Sequence, residues 1–134
     1  MVADLQDVRE QRATGSALGR VLVVDDDEHI RAFLSEALAA EGYEVATAAD
    51  GFDALGEIRR RPPDVILLDL LMPALDGRGF LDLYRSVPGP HAPVIAISAV
   101  RSAAEDIAER VEAVMLKPLN VDRLVELVRH HLGQ

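Results

Sequence analysis

Asp25, Asp26, Asp69, Ser98 and Lys117 are the side chains of this 134-residue chain best suited to chemistry on a charged group. The first two lie in "VLVVDDDEH", where four apolar residues run straight into Asp25, Asp26, Asp27 and Glu28. Two carboxylates about 4 Å apart repel by roughly 4 kcal/mol at an effective dielectric near 20. Such a cluster at the end of a buried strand therefore asks for a cation. The chain has no cysteine, and His29 reads as an exposed first-turn residue, so the donors are hard oxygens. The cation they suit is Mg²⁺. A phosphate-cradling turn would offer glycines and backbone N–H groups instead. "DDDEH" repels phosphate unless a metal lies between, so the pattern points to Mg²⁺ and, through it, a phosphoryl group.

Lys117 stands out by usage. The chain carries thirteen arginines and one lysine. Where it otherwise places a rigid planar fork, here it places a compact, rotatable point charge. Pro118 follows directly.

The elements that must position these residues show as alternating patterns. Short apolar runs, "RVLVVD", "YEVATA", "DVILLDL", "PVIAIS" and "AVMLK", alternate with amphipathic stretches. Residues 28–41 place Ile30, Phe33, Leu34, Ala37 and Leu38 on one helical face, with Asp27 as N-cap and Gly42 at the C-terminus. Residues 51–61 group Phe52, Leu55 and Ile58 and stop before Pro62–Pro63. Residues 76–86 group Phe80, Leu83 and Tyr84. Residues 102–111 predict a weak, short helix around Ile107. Asn120 opens a last helix with Leu124, Val125, Val128 and Leu132 on its face. Five strands alternating with five helices imply an α/β, doubly wound parallel sheet covered on both faces. The second strand reads as an edge. Ligands of such sheets bind beyond the carboxyl ends of the strands. Asp25–Asp26, Asp69, Ser98 and Lys117 end strands one, three, four and five and so converge on one rim.

Composition narrows the classes. Hydrophobic residues make up 49 % and charged residues 28 %, enough for one domain with a core. A net charge of −9 disfavours direct contact with nucleic acid or an anionic membrane surface. No apolar run approaches the roughly 20 residues of a membrane span, and residues 1–19 have no signal-peptide core. A cytoplasmic protein is expected, with a flexible, polar N-terminal tail at 1–19, a short helical stretch at 5–11, and one domain at 20–134.

In this order, "VLVVDDDE", "VILLDLLMPALDG", "VIAISA" and "LKP" resemble the response-regulator receiver domain of two-component signalling. The resemblance covers residues 20–132. It implies a flavodoxin-like (βα)5 fold with strand order 2-1-3-4-5. By position, Asp69 resembles the phosphoryl acceptor. Asp26 resembles a direct Mg²⁺ ligand, Asp25 a ligand through water, and the Leu71 carbonyl a third protein contact to the metal. Lys117 resembles the cation paired with the acceptor, Ser98 the hydroxyl that moves to the phosphoryl group, and Ala99 the small residue beside the entrance. The implied donor is a sensor histidine kinase or a histidine phosphotransfer protein, and the output a protein partner. The chain ends with its fifth helix, which leads us to expect a stand-alone signalling domain rather than an enzyme.

Rivals are a degenerate receiver used for binding only, a Mg²⁺-dependent phosphatase with an aspartate nucleophile, and a flavin carrier. Leu71 stands where that phosphatase chemistry commonly has a second acid, and "DDDEH" contradicts a flavin loop. One region departs from the family pattern. Val114 replaces an aromatic residue, and the stretch from Ser98 to Lys117 is short, so the fourth helix is expected to be short or irregular.

Overall fold

The computed structural model describes residues 18–134. The expected helical stretch at 5–11, and the tail apart from Leu18 and Gly19, lie outside the described residues. The strands are β1 (Arg20–Val24), β2 (Glu44–Ala48), β3 (Val65–Asp69), β4 (Val94–Ser98) and β5 (Ala113–Leu116). They form one parallel sheet in the order β2-β1-β3-β4-β5, with β2 at an edge as expected. The helices are α1 (Glu28–Ala40), α2 (Gly51–Arg60), α3 (Gly77–Ser86), α4 (Arg101–Ile107) and α5 (Val121–His131).

Strand residues point alternately to the two faces, and the core divides accordingly. Val21, Val23, Val65, Leu67, Ile95 and Ile97 pack with Leu34 and Leu38 of α1 and Leu124, Val125 and Val128 of α5. Leu22, Val24, Ile66, Leu68, Val94 and Ala96 pack with Ala54 of α2, Phe80, Leu81 and Tyr84 of α3 and Ile107 of α4. With helices on both faces, the central strands are apolar throughout, which is why they read as continuous hydrophobic runs.

Helix starts follow the side chains placed there. Asp27 Oδ1 accepts from the N–H groups of His29 and Ile30 at 2.8 and 3.3 Å. Asp76 caps α3 through the Gly79 N–H (2.9 Å), and Asn120 caps α5 through the Arg123 N–H (3.0 Å). Gly42, past the end of α1, has φ +101°, a conformation that a Cβ disfavours.

Three apolar residues expected on buried helix faces are exposed: Phe33 at 51 %, Phe52 at 58 % and Leu83 at 41 %. Each lies about 100° round its helix from the centre of the buried stripe, because one residue step turns a helix by that angle. The stripe that meets the sheet is narrow. It takes Ile30, Leu34 and Leu38 on α1 and leaves Phe33 beside it.

The expected helix at 102–111 is shorter than predicted. α4 ends at Ile107 and continues as a 3₁₀ turn, Ala108–Arg110. Val100 at its start offers no capping side chain. The turn is tied to α3, where Arg110 Nη2 meets Asp82 Oδ1 at 2.6 Å and Arg85 donates to the Arg110 carbonyl. Among the described residues, no helix is long and apolar enough to cross a membrane.

Candidate functional site

The sheet delivers its polar strand ends to one rim. Asp69 and Ser98 are the last residues of β3 and β4. Asp25 and Lys117 extend the ladders by one residue beyond β1 and β5. The Asp25 N–H donates to the Ala48 carbonyl (3.1 Å) and the Lys117 N–H to the Ser98 carbonyl (2.8 Å). The peptide between Lys117 and Pro118 is cis.

Asp25, Asp26 and Asp69 each direct a carboxylate oxygen to one spot, with those oxygens within 4.8 Å of one another. Asp25 and Asp69 are 3 % and 5 % exposed, whereas Asp26 is exposed and closes the cluster from the solvent side. Lys117 Nζ lies 3.8 Å from Asp25 Oδ2 and 3.8 Å from Asp69 Oδ1. Three carboxylates against one ammonium leave an excess of two negative charges, the complement of a divalent cation. The donor set is oxygen only, so it fits a hard ion such as Mg²⁺.

The electrostatics record the strain of this arrangement. Burial, and next the charge of Asp25, push the Asp69 carboxyl from 3.8 up to about 6, with Lys117 pulling the other way. Burial also raises Asp25, against the Asp27 N–H bonded to it and the charge of Lys117. A nearby cation favours the charged form of a carboxyl raised in this way.

Asp25, Asp26, Asp69 and Lys117 meet here, whereas the Ser98 hydroxyl bonds within its own turn. Ser98 is fully buried, and its hydroxyl is engaged in its own turn. It accepts from the Val100 N–H (3.0 Å) and donates to the Val100 carbonyl (3.1 Å). Leu71 presents its N–H to Asp69 Oδ1 at 3.4 Å, while its side chain is 52 % exposed. Asp27 is occupied as the α1 cap, and the exposed His29 lies beside Asp27, 3.7 Å from it.

The loop after Asp69 folds back tightly. The Gly77 N–H donates to the Leu70 carbonyl (3.1 Å), and a Cβ on Gly77 would lie 2.8 Å from the Leu70 Cα. Ala74 in the same loop holds φ +64°, a left-handed conformation costing roughly 1 kcal/mol for a residue with a Cβ.

Sequence reasoning missed Arg31, whose Nη1 donates to the Asp25 carbonyl at 2.7 Å. A signal was available, since a cation near the start of α1 opposes the helix dipole and needs another reason to be there. A groove of about 610 Å³ between α2 and α3, lined by Leu55, Ile58, Tyr84 and Val87 among others, contains none of the site residues.

Comparison with known proteins agrees with this geometry. The family model for the response regulator receiver domain matches residues 21–129. The transcriptional regulatory protein PrrA of Mycobacterium tuberculosis is 40 % identical over 120 residues, covering 87 % of this chain and 51 % of PrrA. Response regulator MprA of Mycobacterium leprae is 34 % identical over 113 residues, 82 % of this chain and 49 % of MprA. The chain thus spans about half the length of these relatives. Among solved structures, the receiver domain of NtrX from Brucella abortus superposes with a TM-score of 0.78 at 33 % identity, covering 85 % of this chain and 98 % of that one. The receiver domain of the Francisella response regulator 1452 gives 0.77 at 31 % identity, covering 86 % and 97 %.

Proposed function

We propose that this chain, which belongs to the response regulator receiver domain family, accepts a phosphoryl group on Asp69 in the presence of Mg²⁺ and passes the signal to a protein partner. One observation carries the reading: three carboxylates share one spot, and the chain's single lysine stands 3.8 Å from both buried ones. In the proposed step an Asp69 carboxylate oxygen bonds to phosphorus as the bond from phosphorus to the donor's imidazole nitrogen breaks. The nitrogen leaves with the electron pair and the product is an acyl phosphate. Asp25, Asp26, Asp69 and the Leu71 carbonyl would hold Mg²⁺, whose charge offsets that of the incoming phosphoryl oxygens. Lys117, 3.8 Å from Asp69 Oδ1, would add a second positive charge beside those oxygens. Phosphoryl transfer needs such positioning and charge neutralisation more than covalent help from the protein.

In this reading the donor is a phosphohistidine of a sensor kinase or phosphotransfer protein, the setting is the cytoplasm, and the chain is a signalling domain rather than an enzyme. Leu71, where the phosphatase chemistry commonly has a second acid, argues against that alternative. The intact cluster argues against a domain used for binding alone.

The test is uptake from a small-molecule phosphodonor, followed by intact mass. One phosphoryl group per chain, stable in acid, labile in base and absent with excess EDTA, supports the reading. Uptake that is unchanged in EDTA contradicts it.

The phosphorylated form is expected to be long-lived. Leu71, two residues after Asp69, and Val100, two after Ser98, stand at positions that flank the path of an attacking water in this reading, and both side chains are apolar and exposed. Neither can orient an attacking water. Dephosphorylation followed by mass after donor removal should accelerate in Leu71→Asn or Val100→Glu. Fast loss in the parent protein, unchanged in both variants, would count against this.

A further inference from the structure

We propose that Arg31 is a positioning residue for metal binding, acting through the backbone of Asp25; the inference rests on the reading that the carboxylate cluster holds Mg²⁺. Asp25 is held at each of its polar backbone groups and at one carboxylate oxygen. Its N–H donates to Ala48. Its Oδ1 accepts from the Asp27 N–H at 2.9 Å. Its carbonyl accepts from Arg31 Nη1 at 2.7 Å. That carbonyl belongs to the peptide joining Asp25 to Asp26, so its orientation sets where the Asp26 carboxylate points.

Asp26 is the exposed member of the cluster, so burial constrains it least. The Arg31 guanidinium constrains the peptide that carries it. It hangs on α1, whose first turn is anchored to the same segment by the Asp27 cap and by the Arg31 N–H bonded to the Asp27 carbonyl (3.0 Å). Residues 25–27 are thereby clamped between β1 and α1.

Arg31 does not act by pairing with the carboxylates. No ion pair links it to Asp25, Asp26 or Asp69 among the described residues, and the cation beside the two buried acids is Lys117. A charge-assisted bond to a carbonyl is directional, so its role is orientation. Outer partners that orient metal ligands typically matter 10–100-fold in affinity.

The experiment titrates Mg²⁺ into the full chain by calorimetry, comparing the parent with Arg31→Met and Arg31→Lys. Methionine keeps the apolar stem and removes the donor; lysine restores a charged donor. Urea unfolding in EDTA is measured alongside for each. The expected result is Mg²⁺ binding weakened about tenfold in Arg31→Met and largely recovered in Arg31→Lys. Parent-like affinity in Arg31→Met overturns the inference while leaving the reading of the site intact. Equal loss in both variants also overturns it, since it would mark a packing role. A parent protein that binds no Mg²⁺ overturns the reading of the site itself, and the inference falls with it. Should Arg31→Met not fold, Arg31→Lys decides alone, with affinity within about threefold of the parent expected and a tenfold loss overturning the inference.

Discussion

Asp69→Asn is expected to be more stable than the parent protein in metal-free buffer at pH 7, by about 1–3 kcal/mol in urea unfolding. The reason is the cost of ionising a buried carboxyl beside another. In the folded protein burial and the Asp25 charge push Asp69 from 3.8 up to about 6. Below pH 3.8 the group is protonated whether folded or unfolded and changes nothing. Between 3.8 and about 6 the folded chain holds a proton that the unfolded chain has released, so stability falls as pH rises through this window. Above it the full cost is in place. Asparagine removes the charge and keeps the shape, leaving Lys117 its contact with Asp25. The advantage should therefore vanish below about pH 4. It should shrink on adding Mg²⁺, which stabilises the parent by binding its folded state. An Asp69→Asn protein less stable than the parent at pH 7 in EDTA, or a difference that does not change between pH 4 and 7, would contradict this account.

Asp26→Ala is expected to lose at least tenfold in Mg²⁺ affinity, about 1.4 kcal/mol. Mg²⁺ gives up its water reluctantly and is usually held by one or two carboxylates, so each charge counts. Asp26 supplies the solvent-side oxygen of the three-carboxylate cluster. No neighbour can replace it: Asp27 is committed to capping α1. Because Asp26 is exposed, its loss leaves the core alone, and unfolding in EDTA should change little. Calorimetric titration in metal-free buffer checks both halves. Unchanged affinity would remove Asp26 from the ligand set.

The rim of the sheet was legible in sequence because parallel strands buried on both faces leave few places for charge. A polar residue ending an apolar run, as at Asp69 in "VILLDL" or Ser98 in "VIAIS", has to sit at a strand's end. Capping acids were legible for a similar reason, since Asp27 and Asn120 precede the helical periodicity they serve. Stripe position was not. Phe33, Phe52 and Leu83 have the right apolar character but lie about 100° round their helices from the centre of the buried stripe, and only the docking of each helix on the sheet shows where that centre falls. The break of α4 into a 3₁₀ turn depends on Asp82 and Arg85 reaching across from α3, a contact between residues far apart in the chain. The Ser98 hydroxyl shows another limit: residue type predicts what it can bond, not that its own turn holds it through Val100. That engagement bears on signalling. To reach a phosphoryl group Ser98 must exchange both contacts for one charge-assisted bond, worth roughly 1.5–3 kcal/mol. A complete two-state shift needs about 5.5 kcal/mol. With Val114 in place of a ring that could swing, phosphorylation alone is expected to shift the population partially, a partner's binding completing the change.

The central claim is that Asp69 itself takes the phosphoryl group. Borohydride reduction of an aspartyl phosphate leaves homoserine at the modified position, so peptide mass mapping reads the acceptor directly. After phosphorylation with Mg²⁺ and reduction, the account predicts homoserine at position 69 and unmodified Asp25, Asp26 and Asp27. Homoserine at any of those three, or a phosphoryl-bearing protein whose position 69 is still aspartate, would contradict it.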